Sequence, residues 1–123
     1  MTRDRRRVNE RFADVLEAIE NIKSDLGEFG RDEFLTDGKT QRAVIESLIV
    51  MGEAGKRILE LEPGLQTRQP ELWQHLRDPY DMRIVLTHEY FRVDPTIVWT
   101  TLQCSVPELE RHLVDWLSCD PPS

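Results

Sequence analysis

Hydrophobic residues recur along this chain at steps of three and four, the spacing that places side chains on one face of an α-helix. The first stripe ends before Gly27 and consists of Val8, Phe12, Val15, Ile19, Ile22 and Leu26. A second long stripe consists of Val44, Leu48, Met51, Gly55, Ile58 and Leu61. Between them we predict a short helical piece around residues 32–35, with Thr36 or Asp37 as N-cap of the second long helix.

Prolines mark the predicted starts and interruptions of helices in the second half of the chain. Pro70 opens a short apolar-patterned segment, and Asp78-Pro79 has the form of an N-cap followed by a first helical position, which predicts a third long helix running towards Tyr90. Asp94-Pro95 repeats that signal before a last helical segment. The apolar positions of this last segment are Ile97, Val98, Leu102, Leu109, Leu113 and Leu117. We expect Pro107 to kink this last segment or to split it in two.

The pattern as a whole predicts an all-α protein, because no segment alternates apolar and polar residues with the period of two that strands require. We expect a bundle of four to five helices in a single domain over residues 1–119, followed by a disordered tail at 120–123. Gly52 and Gly55 interrupt the second long helix, where each costs roughly 1 kcal/mol relative to alanine. The sequence therefore predicts a close approach of another helix or backbone at this point. A buried Glu53 beside them would need an arginine partner.

Composition narrows the class of protein. The chain has 123 residues with 23 Asp and Glu against 16 Lys and Arg, a net charge of −7. It is long enough for one core, and it contains neither an apolar run of membrane-spanning length nor an apolar signal-peptide region, so we expect a cytoplasmic protein. Cys104 and Cys119 form no CxxC pair and no Cys/His cluster, which predicts free thiols and no metal site.

The negative total conceals a basic N-terminus. Five of the first eleven residues are arginines, and with Asp4 and Glu10 they give this stretch a local charge of +3. Such a stretch can contact phosphate groups, but it can equally form a solvated first helical turn. The solvated turn is the more common case, since the arginines lie beside a terminus.

One of the three histidines lies close in sequence to residues that could act with it in catalysis. Arg83, His88 and Tyr90 lie within eight residues, whereas His75 and His112 show no metal-ligand spacing with other good donors. An imidazole moves protons near neutral pH, and a guanidinium stabilises charge on a phosphate. Together they suit metal-free RNA cleavage, in which the neighbouring 2′-OH is the nucleophile.

Spacing leaves this assignment open. Positions 83 and 88 lie about 140° apart on an ideal helix. The reach of the arginine, a helix end near His88, or a second subunit would have to bring the two groups together. An Arg and a His five residues apart also arise frequently as structural residues, and Tyr90 can equally be a packed aromatic near a helix end. The three tryptophans are expected to pack in the core or an interface.

Arg83-x4-His88-x-Tyr90 resembles the RX4HXY signature of HEPN-domain (HepT-like) toxins, which are paired with a minimal nucleotidyltransferase antitoxin. The resemblance extends over nearly the whole chain. The further matching positions are Arg11, Asp14, Leu16, Ala18, Ile19, Phe34, Asp37, Thr40, Gln41, Ala43, Val44, Gly52, Glu53, Ala54, Pro70, Trp73, Glu89, Phe91, Val93, Asp94, Val98 and Trp99.

The resemblance implies an activity and a control. Members are all-helical homodimers that act as metal-independent endoribonucleases of type VII toxin–antitoxin systems, with transfer RNA as the suggested substrate class. By this resemblance Arg83 and His88 are the catalytic pair. The antitoxin transfers AMP from ATP to the motif tyrosine, here Tyr90, and silences the toxin. No cofactor or metal is implied for the toxin itself. Glu53 is either a partner of Arg83 or part of a solvated helix face.

Two departures keep other functions open. Ile84 stands where the family usually has a polar residue, and residues 77–81 lengthen the link between Trp73 and Arg83. A first alternative is a non-catalytic helical module that still pairs with the nucleotidyltransferase. A second reverses the roles and makes this chain a nucleotide- or RNA-binding antitoxin subunit.

Overall fold

The computed structural model describes the backbone of residues 2–88 and 94–118, and within them the side chains of residues 6–78, 81 and 94–117. These residues form helices only, which confirms the all-α prediction. Four long helices are joined by two short ones, in the order α1 (Thr2–Leu26), α2 (Arg31–Thr36), α3 (Gly38–Leu61), α4 (Leu65–Arg68), α5 (Pro70–His88) and α6 (Pro95–Ser118). Residues 120–123, the predicted tail, lie outside the described residues. No helix in the described part is long and apolar enough to cross a membrane.

The predicted stripes form the core. In α1 the positions from Val8 to Ile22 are buried and Leu26 is half-buried, and in α3 every predicted position except the half-buried Leu61 is buried. Helix α1 ends where Gly27 takes the left-handed conformation with φ of 54°, and the Gly27 N–H donates to the Lys23 carbonyl at 3.0 Å. Asp37 is the N-cap of α3, because its carboxylate accepts from the Lys39 and Thr40 N–H groups.

Helix α3 is central, since α1 packs on one side of it and α5 on another. The glycines of α3 predicted a close backbone approach, and Gly55 confirms it. A Cβ atom placed on Gly55 would lie 3.0 Å from the Leu76 carbonyl oxygen in α5. Leu72 and Leu76 of α5 are fully buried in the same core. The backbone of α5 therefore lies directly against α3, with no room for a side chain between them.

The predicted helix start at Asp78-Pro79 is wrong, because α5 runs without interruption through Pro79. Two side-chain pairs support the helix around the proline. Gln74 donates to Asp78 at 2.8 Å just before it, and the Arg77–Asp81 pair spans it, with Arg77 Nε 3.1 Å from Asp81 Oδ1. Two such pairs supply at most about 1 kcal/mol against roughly 3 kcal/mol for an interior proline. Packing of the buried leucines of α5 against α3 must supply the rest.

Helix α6 begins as predicted, with the Asp94 carboxylate accepting from the Thr96 N–H at 2.9 Å. It continues through Pro107 to Ser118, so the predicted splitting is wrong, while a kink stays a prediction. Burial before and after the proline holds the helix in one piece: the buried positions are Val98, Leu102, Val106, Leu109 and Leu113. Ile97, counted with the apolar positions of this segment, is 56% exposed.

The three tryptophans pack against the core, as predicted. The Trp116 ring meets Phe12 edge to face with centroids 5.2 Å apart, and its Nε1 donates to Asn9 Oδ1 at 3.2 Å. Trp99 lies against Phe34 with centroids 5.5 Å apart. Their surface is thus used inside the bundle. Cys104 is a free, exposed thiol, as expected, while Cys119 lies outside the described residues.

Candidate active site

Helix α5 carries both predicted catalytic residues in its last turns. Arg83 and His88 belong to the same unbroken helix, so their backbones are separated by a rise of about 7.5 Å and a rotation of about 140°. The side chains of both, and the whole of Tyr90, lie outside the described residues. The pairing of the three groups therefore stays a prediction, while the element that bears the first two is established.

The start of α5 is firmly placed. Leu72 and Leu76 are buried, and Gly55 lets the α5 backbone touch α3 one turn of helix before Pro79. Because the helix is continuous from Pro70 to His88, this anchoring sets the direction of its last turns. The sequence needs a glycine at 55 for this arrangement, since any side chain there would push α5 away.

Glu53, predicted as a possible partner of Arg83, lies on the exposed face of α3. It lines a groove of about 510 Å³ between α1 and α3, together with cationic Arg11 and Arg57 and anionic Asp14 and Glu17. The condition under which we required an arginine partner, burial of Glu53, is not met. Whether Glu53 is a partner of Arg83 or part of a solvated helix face stays a prediction, because the Arg83 side chain lies outside the described residues.

Neighbouring charges in this groove offset one another. Arg11 Nε lies 2.8 Å from Asp14 Oδ2, and Arg57 Nη1 lies 3.8 Å from Glu60 Oε1. The excess of positive charge lies instead at the start of α1, where Arg6 and Arg7 are exposed on a helix that begins at Thr2. Arg6 and Arg7 are thus solvated, which leaves them accessible to an anionic partner.

A second chemical cluster was missed from the sequence. His75, Glu108 and His112 lie together where α5 meets α6, and each contributes one possible ligand atom to a group whose atoms are all within 4.8 Å of one another. The absence of metal-ligand spacing around each histidine in the sequence did not show this cluster, because it joins residues of two different helices. His75 lies within the continuous α5, on the side that meets α6. The available signal was the repeated Glu-x3-His spacing, which puts Glu71 and His75, and likewise Glu108 and His112, on one helix face.

The imidazoles of this cluster are stacked, with centroids 4.9 Å apart and planes 29° apart. Arg111 Nη2 lies 2.6 Å from Glu108 Oε2, and this hydrogen bond and charge hold the pKa of Glu108 below its ordinary value. The two histidines lower the pKa of Glu108 further, as smaller causes. Glu108 is therefore an anion at neutral pH.

Helix α6 is also tied to α1 by a charged pair. Lys23 Nζ lies 2.7 Å from Glu110 Oε2 and 3.6 Å from Glu20 Oε1. The hydrogen bond from Lys23 to Glu110, with smaller electrostatic contributions, raises the pKa of Lys23 above 10.5. This pair lies on the same stretch of α6 as the histidine cluster.

Comparison with known proteins gives a consistent result. A family model described as "Ribonuclease HepT-like" matches residues 15–115. A protein of Thermococcus cleftensis named "Probable ribonuclease HepT" is 39% identical over 98 residues, which cover 79% of this chain and 84% of that protein. One named as a "Putative RNase" in Methanocaldococcus jannaschii is 36% identical over 107 residues, covering 83% of this chain and 84% of its own.

A third relative, from Caldanaerobacter subterraneus and also named as a "Putative RNase", is 33% identical over 86 residues. Those residues cover 70% of this chain and 72% of the relative. No solved structure matches the chain significantly.

Proposed function

This chain belongs to the Ribonuclease HepT-like family, and from that membership we propose that it is a metal-independent endoribonuclease, the toxin of a type VII toxin–antitoxin system. The observation that carries the proposal is the match over residues 15–115, which includes α5 with Arg83 and His88. The names of the relatives, all of them described as ribonucleases, support RNA as the substrate. Within RNA, transfer RNA is the class that we propose.

The cleavage step needs no group beyond the chain and the RNA. His88 takes the proton of the 2′-hydroxyl next to the scissile phosphate, and the 2′-oxygen forms a new bond to phosphorus. The bond from phosphorus to the 5′-oxygen breaks, and that oxygen leaves with the electron pair and takes a proton from water. The proton held by His88 then returns to the solvent. The products are a 2′,3′-cyclic phosphate and a 5′-hydroxyl end. Arg83 stabilises the negative charge that grows on the phosphate oxygens.

We place the cleft between two copies of the chain. Positions 83 and 88 are about 140° apart on α5, so a single helix cannot direct both groups at one phosphate without the reach of the arginine or help from another subunit. In a two-fold dimer each α5 contributes to one shared cleft, which doubles the number of Arg and His groups available. We propose that this dimer is the active form and that it acts in the cytoplasm.

Control comes from a nucleotidyltransferase antitoxin that modifies Tyr90. The phenol oxygen attacks the α-phosphorus of ATP, forms a phosphodiester bond with AMP and releases pyrophosphate. ATP is thus a substrate of the partner and not a cofactor of this chain. AMP on Tyr90 adds a bulky anion two residues from His88, so it both fills the cleft and repels an RNA phosphate.

Cleavage of a total transfer RNA pool in the presence of EDTA tests the activity. We expect His88→Ala to lower the rate by about 10²–10⁴-fold, because general acid–base catalysis contributes that much. Arg83→Ala should also lower the rate strongly. Gln74→Ala, an exposed position on the same helix, is the matched control and should cleave like the unaltered chain.

Undiminished cleavage by folded His88→Ala would contradict the mechanism. Absence of cleavage by the unaltered, unmodified chain would favour the non-catalytic module, the alternative that Ile84 supports. Protection of cells from a neighbouring toxin, with RNA binding and no cutting, would favour the reversed role.

Intact-mass spectrometry tests the control. The chain is purified after co-expression with the nucleotidyltransferase encoded beside it, and we expect a mass increase of one or more AMP groups. Tyr90→Phe should show none. Equal modification of Tyr90→Phe would place the switch at another residue, and an unmodified chain that still binds the partner would mean silencing by occlusion.

A further inference from the structure

We propose that His75, Glu108 and His112 form a binding site for one divalent transition-metal ion of the zinc class, which joins helix α5 to helix α6. The site is separate from Arg83 and His88. It rests on the geometry of the described side chains and does not depend on the proposed ribonuclease activity.

Two nitrogen atoms of this cluster are available to bind a ligand. Nδ1 of His75 and Nε2 of His112 are both buried, and neither has a hydrogen-bond partner among the described residues. The His112 side chain as a whole is 16% exposed. Buried polar atoms in proteins are nearly always satisfied, so an unsatisfied pair facing one cluster points to something that the protein atoms do not provide. An imidazole nitrogen that lacks a hydrogen accepts a metal ion readily.

The distances suit a small cation after modest side-chain rotation. The donor atoms of His75, Glu108 and His112 all lie within 4.8 Å of one another. A tetrahedral zinc ion bound to nitrogen and oxygen at about 2.0–2.1 Å needs donors roughly 3.4 Å apart. Each donor therefore has to approach its neighbours by about 1.4 Å at most, which rotation of the side chains can accomplish without moving a helix. Two imidazoles and a carboxylate are a ligand set that zinc takes in proteins.

The surroundings supply a fourth ligand and an outer support. Glu71 Oε2 lies 3.7 Å from His112 Nε2, and with 81% of its side chain exposed Glu71 is able to turn towards the ion. The two carboxylates, Glu71 and Glu108, would then balance the double positive charge. Arg111 donates to Glu108 at 2.6 Å and would orient this ligand from outside, as outer-shell partners of metal ligands commonly do.

The position of the site gives it a structural role. His75 precedes Arg83 by eight residues, which is a rise of about 12 Å along α5. An ion there would lie about two helical turns before Arg83 and would fasten the first half of α5 to α6. Because the unfolded chain does not hold these four residues together, metal binding would stabilise the fold.

Zinc binding by the tag-free chain is measured by titration against a chromophoric chelator. We expect one zinc ion per chain and a rise in Tm with added zinc. His75→Gln and His112→Gln, singly and together, should weaken binding at least tenfold. Asp115→Asn, an exposed acidic position one turn beyond His112, and His88→Ala, the remaining histidine, are controls that should bind like the unaltered chain.

Cobalt(II) provides a second readout that needs no variant. Bound at this site in the unaltered chain, it should show the intense visible absorption of tetrahedral coordination, and zinc should remove that absorption. Circular dichroism of each variant separates loss of binding from loss of folding. Zinc binding that is undiminished in the folded double variant would overturn the site. The site would also be overturned if the unaltered chain failed to bind one zinc ion per chain, or if its cobalt spectrum were octahedral.

Discussion

Helix α5 meets its two long neighbours in opposite ways. Towards α3 it presents Leu72 and Leu76, and Gly55 lets the backbones touch, with a would-be Cβ only 3.0 Å from the Leu76 carbonyl oxygen. Towards α6 it presents His75, whose ring stacks on His112 with centroids 4.9 Å apart and whose Nδ1 has no described hydrogen-bond partner. One side is apolar and closely packed, and the other is polar and incompletely satisfied.

This contrast indicates which of the two contacts determines the position of α5. Apolar burial and direct backbone contact tolerate little displacement, because protein cores are packed as densely as organic crystals. Polar groups joined through exposed carboxylates can rotate and exchange partners at small cost. The contact with α3 should therefore determine the stability of the fold and the direction of α5, while the contact with α6 is the adjustable one and can accept a ligand.

Replacement of the buried Leu76 should have the largest effect on stability. Leu76→Ala should lower the free energy of unfolding by about 2–5 kcal/mol, because it deletes fully buried methyl groups and leaves a cavity at the α3 contact. Urea unfolding followed by circular dichroism measures it, with the exposed Gln74→Ala as control. The contrast between the two sides of α5 would be wrong if His75→Gln in metal-free protein cost as much as Leu76→Ala.

Adding a side chain at Gly55, where α3 and α5 touch, should have a smaller but still clear effect on stability. Gly55→Ala should lower the free energy of unfolding by about 1–2 kcal/mol, because forced overpacking against a helix backbone exceeds the roughly 1 kcal/mol that alanine gains in helix propensity. Gly38→Ala in the same helix is the matched control. Its added Cβ would meet only the mobile end of Arg42 at 3.3 Å, so stability should stay the same or rise. Equal behaviour of the two variants in urea unfolding would show that α5 can move aside.

The charged attachment of α6 to α1 should contribute least. Lys23→Met should lower stability by less than about 1 kcal/mol, because the Lys23 side chain is 54% exposed and solvent screens the pair. Folding raises the pKa of Lys23, so this contribution is fully present below pH 10.5 and is lost as the pH rises through the raised value.

Thermal unfolding of Lys23→Met and the unaltered chain, at neutral pH and well above pH 10.5, tests that direction. The difference in Tm should shrink at the higher pH. A difference that grows with pH, or one as large as that of Gly55→Ala, would show that α6 is held by its charges more than by its apolar face.

Local patterning predicted most of the fold. The apolar stripes of α1 and α3, the cap at Asp37, the start of α6 at Asp94 and the close approach at Gly55 all follow from side-chain spacing and backbone requirements that act within a few residues. The prolines misled the prediction, because their local cost is outweighed where buried residues hold the helix. Hence α5 passes through Pro79 and α6 through Pro107.

The candidate sites likewise differ in how far the sequence alone could predict them. The RX4HXY motif is contiguous in sequence, so Arg83, His88 and Tyr90 could be named without a structure, and the structure adds that one continuous helix bears the first two. The cluster of His75, Glu108 and His112 joins residues 37 positions apart, and only the packing of α5 against α6 brings them together. Glu53 had two possible positions, and its exposure was decided by how α3 is rotated within the bundle.

The helical class, the long amphipathic stripes and the RX4HXY motif could thus be read from the amino-acid sequence without a structure. These are encoded in periodicity and in short-range spacing. Whether the helices continue through their prolines, and which polar groups from different helices meet, became known only from the packed structure. Those outcomes depend on the burial of residues distant in sequence, whose combined free energy exceeds any single local preference.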